Sequence, residues 1–537
     1  MKTTPTPFSR RQFIATALGG AAGLAIAGTP EAKAWHAGRV HHLLPTVNHN
    51  RLLLKASFEH PLSAAPKLRA GRHSATGVRM ASAGEFYSFD VTGLEPEHTY
   101  ELSLLDSSGK HLCDPWTIST FPHPLDRPKR FRLMVYTCAG GHPATINPDT
   151  NGPYFVSLAH RRKMFMAGLS YKPDAMIAIG DHVYWDLRCP VGSVNLGNSP
   201  VARKLVGEFA RSEPVLGTDN ERKLKLAVTP QICDLYGTLF RSTPVFFVQD
   251  DHDYFENDEA TEAMVTFPPD DFMLRLARAT QRLYYPEFLP DANRPLGLPS
   301  SGPPDRAPGV SESFGTLRFG KLLEIMMYDC RRYVSLTGPV GGFVPETAEQ
   351  WLMQRMAAQE TDHVVNLPST PVGWSAGKWG EWYPDLLQPN GKLGVEKPKY
   401  WWQSGWRLQH DRLLKAASAM QRIPLFLSGD LHALGEGKIH RYNELDLTAN
   451  PVVTVLTGPI GTGAKAWPSA WRGTPPQQPS GIEVEEGLKP IEMNGFTIID
   501  FTEDRVEAQM FRWKMDQPPQ LLDDLKPFHH FSAARRA

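Results

Sequence analysis

AMIAIGDHVYWD, residues 175–186, decides how the rest of the chain is read. Ala175 to Ile179 is a continuous apolar run, the pattern of a strand buried on both faces of a mostly parallel sheet. Gly180 ends the run, Asp181 follows at once, and Tyr184 and Asp186 come soon after. In open α/β sheets, ligands sit at the carboxyl ends of the strands. A carboxylate placed there can bridge two metal ions, and a phenolate three residues on can bind the harder one.

Three more strand-like runs end in polar clusters. The first is Thr137-Cys138-Ala139-Gly140-Gly141-His142. Another is Asp250-Asp251-His252-Asp253-Tyr254, with Asn257 shortly after. The last is Ser428-Gly429-Asp430-Leu431-His432. Taken singly, an Asp after a strand is more often a cap or turn residue than a ligand. Taken together, each at the end of an apolar run, they are what a parallel sheet would gather at one edge.

Around these motifs the texture changes once. From about Trp35 to Thr120 it reads as short strands and turns, and Gly93-Leu94-Glu95-Pro96 before Tyr100 resembles the corner of a fibronectin type III-like sandwich. The expected division is an N-terminal β-sandwich over 35–125, a linker at Pro122–Lys129, a catalytic domain over 130–515 and a C-terminal tail over 516–537. After Arg130, strands alternate with helices expected at Tyr154–Ser170, Glu221–Phe240, Phe272–Phe288, Thr347–Thr361 and Ser404–Gln421, which means a layered α/β domain. Two long insertions, Pro190–Asn220 and Leu367–Lys399, are expected to wall the site.

Length and composition bound the reading. A chain of 537 residues is too long for one small core, and two or more domains are expected. Lys+Arg and Asp+Glu are both 57, which gives no global pull toward nucleic acid or anionic membrane. Ser9-Arg10-Arg11-Gln12-Phe13-Ile14, the mild apolar stretch Ala15–Gly28 and Ala32-Lys33-Ala34 read as a twin-arginine signal over 1–34 with a small-x-small cleavage site. The competing reading is an uncleaved membrane helix, for which the Gly- and Ala-rich stretch is weak. The expected destination is the periplasm or the exterior, reached through the twin-arginine export machinery, with no stable membrane span afterwards. Five cysteines, Cys113, Cys138, Cys189, Cys233 and Cys330, leave at least one thiol unpaired within the chain.

G-D-x-x-Y at Gly180–Tyr184, D-D-H-D at Asp250–Asp253 and S-G-D-x-H at Ser428–His432, with Cys138 at the first strand end, resemble the calcineurin-like metallophosphoesterase superfamily. Within it the chain is similar to the PhoD-type alkaline phosphatases, over nearly its whole length. The resemblance implies a four-layer α/β/β/α sandwich and metal-assisted hydrolysis of phosphate esters, small or polymeric. It implies ferric iron (Fe3+) held by Cys138, Asp181, Tyr184 and His432, with calcium (Ca2+) beside it. Asp181 would bridge, Asp251 would stand for the superfamily's Asn ligand and Asp430 for a His. His252 would face the substrate and protonate the leaving oxygen or hold a phosphoryl oxygen, and His182 would contact phosphate. Arg331, in Asp329-Cys330-Arg331, would either reach phosphate or form a buried ion pair with Asp329.

The sequence departs from that pattern in places. Gln249 replaces the usual Trp, and His182 stands where Arg or Gln is common. No clear counterpart exists for an isolated metal-binding His: His363 and His410 read as surface residues. Arg161-Arg162-Lys163 reads as a solvated helix face, Asp253 and Asn257 as braces, and Trp401, Trp402 and Trp406 as cleft wall or packing. Two other functions stay open: a phosphodiesterase or phospholipase D-like hydrolase of lipid or wall polymers, and an exported phosphate- or metal-binding protein without turnover.

Overall fold

The short strands after Trp35 pair into two antiparallel sheets. In the computed structural model, which describes residues 34–147, 150–185, 204–255, 267–299, 309–335, 341–377, 381–383, 385–395 and 404–535, these are β1 (Val40–Val47), β2 (Arg51–Phe58), β3 (Lys67–Ala70), β4 (His73–Thr76), β5 (Val78–Arg79), β6 (Phe86–Thr92), β7 (Thr99–Leu105) and β8 (Trp116–Ser119). Their orders are β1-β2-β6-β5 and β4-β3-β7-β8. Alternating exposure along β3 and β8 leaves one face for the core and one for water. At the expected corner, the Tyr100 hydroxyl accepts the Glu95 N–H at 2.8 Å.

After Arg130 come β9 (Phe131–Thr137), α1 (Leu158–Ser170), β10 (Ala175–Ile179), α2 (Asp219–Tyr236), β11 (Val245–Val248), α3 (Asp271–Tyr284), β12 (Phe314–Phe319), β13 (Leu323–Tyr328), α4 (Glu346–Ala357) and β14 (His363–Pro368). They are followed by β15 (Leu386–Leu387), β16 (Leu393–Gly394), α5 (Ser404–Ser418), β17 (Leu425–Ser428), β18 (Leu434–Tyr442), β19 (Leu445–Asp446), β20 (Val452–Thr457), β21 (Ile482–Ile491), β22 (Asn494–Thr502), β23 (Arg505–Trp513) and β24 (Pro527–Ala534). One sheet runs β11-β10-β9-β22-β23-β24. The other runs β12-β13-β14-β17-β20-β18, with β19 and β21 also paired to β18. α1 lies against β22 and α2, and α5 against β20 and α4, so helices cover both outer faces. This is the mixed α/β layering expected of a metallophosphoesterase.

The register positions the site. β9, β10 and β11 are parallel, with Thr137 opposite Ile179 and Ile179 opposite Val248. Almost all their residues are buried, because strands covered on both faces carry apolar side chains throughout. The segments after Thr137, Ile179 and Val248 therefore leave the sheet side by side. The second sheet is tied to the same edge: the Thr137 N–H donates to Gly458 O and the Ile460 N–H to Thr137 O, each at 3.0 Å. β17, parallel to β20, thus delivers its own carboxyl end beside the first three.

Several boundaries differ from expectation. α1 begins at Leu158, where the Ser157 side chain accepts the His160 N–H. β14, β18 and β21 were not anticipated, and 516–537, set apart above as a tail, supplies the edge strand β24 on β23. Residues 1–33, which hold all but the last residue of the expected twin-arginine signal over 1–34, lie outside the described residues, as do Asp186, Cys189, Asn257, Trp401, Trp402 and parts of both insertions. No helix among the described residues is long and apolar enough to cross a membrane.

Candidate metal centre

Four of the residues singled out at strand ends leave their strands in the left-handed conformation: Cys138 (φ 48°), Asp181 (φ 57°), Asp430 (φ 62°) and His432 (φ 49°). Non-glycine residues rarely adopt it, at a cost of roughly 1–2 kcal/mol each, and such strain gathers at functional sites. The turns are also pressed together. A Cβ on Gly140 would stand 2.6 Å from the His182 carbonyl oxygen, so only glycine fits there.

The side chains converge on the Asp181 carboxylate. Its Oδ2 lies 3.2 Å from Cys138 Sγ, 3.0 Å from the Tyr184 hydroxyl and 3.9 Å from His432 Nε2. The Tyr184 hydroxyl is 3.1 Å from His432 Nε2. Cys138, Asp181 and His432 each bring a ligand atom within 4.8 Å of the others; so do Asp181, Asp251 and His252, and so do Asp250, Asp251 and Asp430. Asp181 is shared by the first two groups and Asp251 by the last two. All of these residues are buried. A thiol, a phenol, an imidazole and a carboxylate in mutual contact, next to a carboxylate-rich pocket, make a donor set suited to one hard, high-valent cation and a neighbouring oxygen-seeking one.

Electrostatics agree with a cation-binding role. Burial, and then the nearby Asp181, push the Cys138 thiol and the Tyr184 phenol well above their ordinary values. Without a cation both stay protonated and donate to Asp181. A multivalent cation among them reverses that preference, since ligation requires the deprotonated forms. Burial likewise raises Asp250, against the pull of Arg331, with Asp251, Asp430 and Asp181 adding to the rise.

Supporting contacts fix these groups. Asp253 Oδ2 accepts the N–H of Asp181 and of Asp250, both at 2.9 Å, and its Oδ1 accepts the N–H of His182 at 2.8 Å and of Val183 at 3.2 Å. This is the brace expected of Asp253. His432 Nδ1 donates to Ala466 O at 2.7 Å, which leaves Nε2 as the ligand atom. The His252 N–H donates to Asp181 Oδ1 at 3.3 Å, and its ring lies 4.2 Å from that of Tyr184.

Other expectations are corrected. His182 is not a phosphate contact. Its ring is fully buried between Phe247 and Tyr285, its Nε2 meets Val248 O at 2.9 Å, and burial holds its pKa down at about 3. Arg331 does form a buried ion pair, but with carboxylates other than Asp329. It is fully buried and pairs with Asp250 at 2.8 Å and Asp430 at 3.3 Å; Asp329 instead accepts its backbone N–H. His363 and His410 are buried rather than at the surface, His363 with Nε2 on Thr502 O and His410 among Trp382, Tyr383 and Tyr442. Trp406 packs against Phe343 in the core. Arg161, read as solvated, is fully buried, and its guanidinium donates to the carbonyls of Ala139, Gly140 and Gly141 at 2.8–2.9 Å. Asp250 was overlooked as a member of the acidic group. The doubled Asp250-Asp251 was its only signal.

Comparison with known proteins places this arrangement in context. The sequence profile of the family described as PhoD-like phosphatase matches residues 154–510, more than half of the chain. A solved structure titled "Structure of PhoD" superposes with a TM-score of 0.58 at 14% identity, covering 94% of this chain and 92% of that one. The purple acid phosphatase PPD1 from yellow lupin (Lupinus luteus) seeds superposes with a TM-score of 0.52 at 12% identity, covering 92% and 74%. At these identities the superpositions speak for the fold. No curated protein matches the sequence.

Proposed function

The chain belongs to the PhoD-like phosphatase family, and on that premise we propose that it is an exported, metal-dependent hydrolase of phosphate monoesters, diesters or both. The observation that carries the reading is the convergence of Cys138, Asp181, Tyr184 and His432, with Asp181 shared by the adjoining Asp251 and His252. The thiol of Cys138 and the phenol of Tyr184, with Asp181 and His432, would hold Fe3+ once deprotonated, and the carboxylates Asp181, Asp250, Asp251 and Asp430 would hold Ca2+. When bound, such cations supply Lewis acidity toward water and toward a phosphoryl oxygen.

The chain's own residues do the rest. Asp181 spans the two subsites. His252, its ring tilted against that of Tyr184 and its backbone N–H on Asp181, is the group that would give a proton to the leaving oxygen. Asp253 keeps the Asp181 and Asp250 turns at fixed separation. Arg331 offsets the charge of Asp250 and Asp430. The twin-arginine segment at Ser9–Ile14 supports export of the folded, metal-loaded protein to the periplasm or beyond.

Replacing Asp181 with Asn tests the assignment. Loss of the shared ligand is expected to lower kcat/KM on p-nitrophenyl phosphate and on bis-p-nitrophenyl phosphate by at least 100-fold, with metal content per chain reduced. Wild-type turnover in Asp181→Asn would overturn the site. Failure of the native protein to hydrolyse either ester while retaining metal would favour the binding-protein reading. The ratio of the two rates separates phosphatase from phosphodiesterase.

A further inference from the structure

Two helices grip the metal-bearing turns through side chains that the reaction does not use. On α2, the fully buried Gln231 presents its side-chain oxygen to two backbone donors, Gly141 N–H at 2.7 Å and Tyr184 N–H at 2.9 Å. Its side-chain NH2 donates to Tyr184 O at 3.1 Å and Ala227 O at 2.9 Å. Both lone pairs and both hydrogens of the amide are used. Gln231 therefore holds Tyr184 by its own N–H and C=O, as a neighbouring strand would, and joins that turn to the one after Cys138. Tyr184 lies beyond the end of β10, so the sheet ladder does not reach it.

The same helix makes a second contact with the Cys138 turn one residue earlier. Pro230 lies within α2 and has no N–H to give to Leu226 O. That carbonyl instead meets His142 Nε2 at 3.2 Å, while His142 Nδ1 accepts the Ala144 N–H at 3.1 Å, which leaves the proton on Nε2. From the other side, Arg161 of α1 takes the carbonyls of Ala139, Gly140 and Gly141. The Cys138 turn is thus held at its N–H side by Gln231, at its carbonyls by Arg161 and at its end by the carbonyl freed by Pro230.

We infer that Gln231 is a positioning residue of the metal centre, setting the separation between the thiol of Cys138 and the phenol of Tyr184 by clamping the two turns that carry them. The inference rests on the metal-centre reading above. Groups that orient ligands from behind typically change metal affinity 10–100-fold when removed, whereas a residue that merely fills the core lowers stability with and without metal alike.

The test compares Gln231→Leu, Gln231→Glu and the control Ile232→Val, a buried neighbour on α2. Each is loaded with Fe3+ and Ca2+ and titrated with a graded chelator, and its metal content and melting temperature are followed. Gln231→Leu is expected to release metal at 10–100-fold lower chelator concentration than wild type. Gln231→Glu, which keeps the acceptor for both N–H groups, should fall between them. Ile232→Val should melt lower yet release metal as wild type does. Wild-type metal retention in Gln231→Leu, with loaded and chelated forms destabilised equally, would overturn the inference. If Gln231→Leu does not fold, Gln231→Glu decides by the same criterion. Should the wild-type protein itself take up no metal, the metal-centre reading fails instead.

Discussion

Arg331→Met offers the sharpest test of how the acidic side of the centre is held. The guanidinium is fully buried, 2.8 Å from Asp250 and 3.3 Å from Asp430. Burial alone would lower its pKa, but Asp250, Asp251 and Asp430 together raise it well above the ordinary value. Methionine keeps most of the volume and removes the charge. Breaking a buried pair from one side leaves uncompensated charge and costs roughly 3–5 kcal/mol. Ala37–Ala537 forms one compact unit, and if it unfolds as one it gains about 2.1 cal/mol/K of entropy per residue. About 500 residues then give roughly 1 kcal/mol/K, so the chelated variant should melt roughly 3–5 °C below chelated wild type. Added Ca2+ should close part of that gap, because a cation among Asp250, Asp251 and Asp430 does the work of the missing guanidinium. Differential scanning fluorimetry with chelator and with Ca2+ reads both numbers. If chelated Arg331→Met melts with wild type while its KM for phosphate ester rises several-fold, Arg331 is a phosphate contact after all and the ion-pair account fails.

Asp253→Asn should separate brace from ligand. One oxygen of the pair becomes a donor, and two of the four N–H groups it serves lose their acceptor. At roughly 1.5–3 kcal/mol for each hydrogen bond to a charged group, urea denaturation of the chelated protein should show a loss of about 3–6 kcal/mol. Lost metal with unchanged stability would make Asp253 a ligand instead. His42 of β1, bonded to Ser57 and to the Tyr284 carbonyl, gives a pH signature. Burial, opposed by its bond to Tyr284 O, lowers its pKa from 6.5 to about 3. The unfolded chain therefore binds the extra proton between those values. The stabilisation is fully present above pH 6.5 and is lost as pH falls toward about 3, up to about 4–5 kcal/mol in all. His42→Asn should be less stable at neutral pH but flatten that slope in chelated protein, and an unchanged slope would contradict the burial argument.

What could be read from sequence follows from where the information is local. A run buried on both faces is apolar throughout, so β9, β10 and β11 and the polar residues that end them stand out without any partner being known. β21 is different. Its Glu483 and Glu485 are exposed and its partly buried Glu486 accepts the Trp374 Nε1–H, so the acidic run gives it the look of a loop. His182 was misassigned because a ligand turn sends consecutive side chains to opposite sides, and only packing shows that Phe247 and Tyr285 enclose its ring. Arg161 reads as solvated by the general preference of arginine for the surface, and Arg331 reads as a phosphate contact or a partner of its near neighbour Asp329. Their actual partners, three carbonyls in one case and two distant carboxylates in the other, exist only once the chain has folded.

The strained turns and crowded carboxylates imply that the metal-free protein works against its own site. Asp181 raises the pKa of both Asp250 and Asp253, secondary in each case to burial, so its charge is a cost wherever no cation sits beside it. It also holds φ at 57°, a conformation open to asparagine as it is to aspartate, so the substitution adds no backbone strain. Asparagine keeps one acceptor oxygen, and the Tyr184 hydroxyl and Cys138 thiol can turn to accept from its NH2. Asp181→Asn should therefore be more stable than wild type in chelator, by roughly 1–2 kcal/mol, the gain typical of relieving a functional site. In the presence of Fe3+ and Ca2+ the order should reverse, because the wild-type chain alone gains the full binding free energy. Paired urea titrations with chelator and with metal measure the crossing. A chelated Asp181→Asn that unfolds at lower urea than chelated wild type would mean that the carboxylate stabilises the empty fold, and that its place at the meeting of four strand ends is structural rather than reserved for a cation.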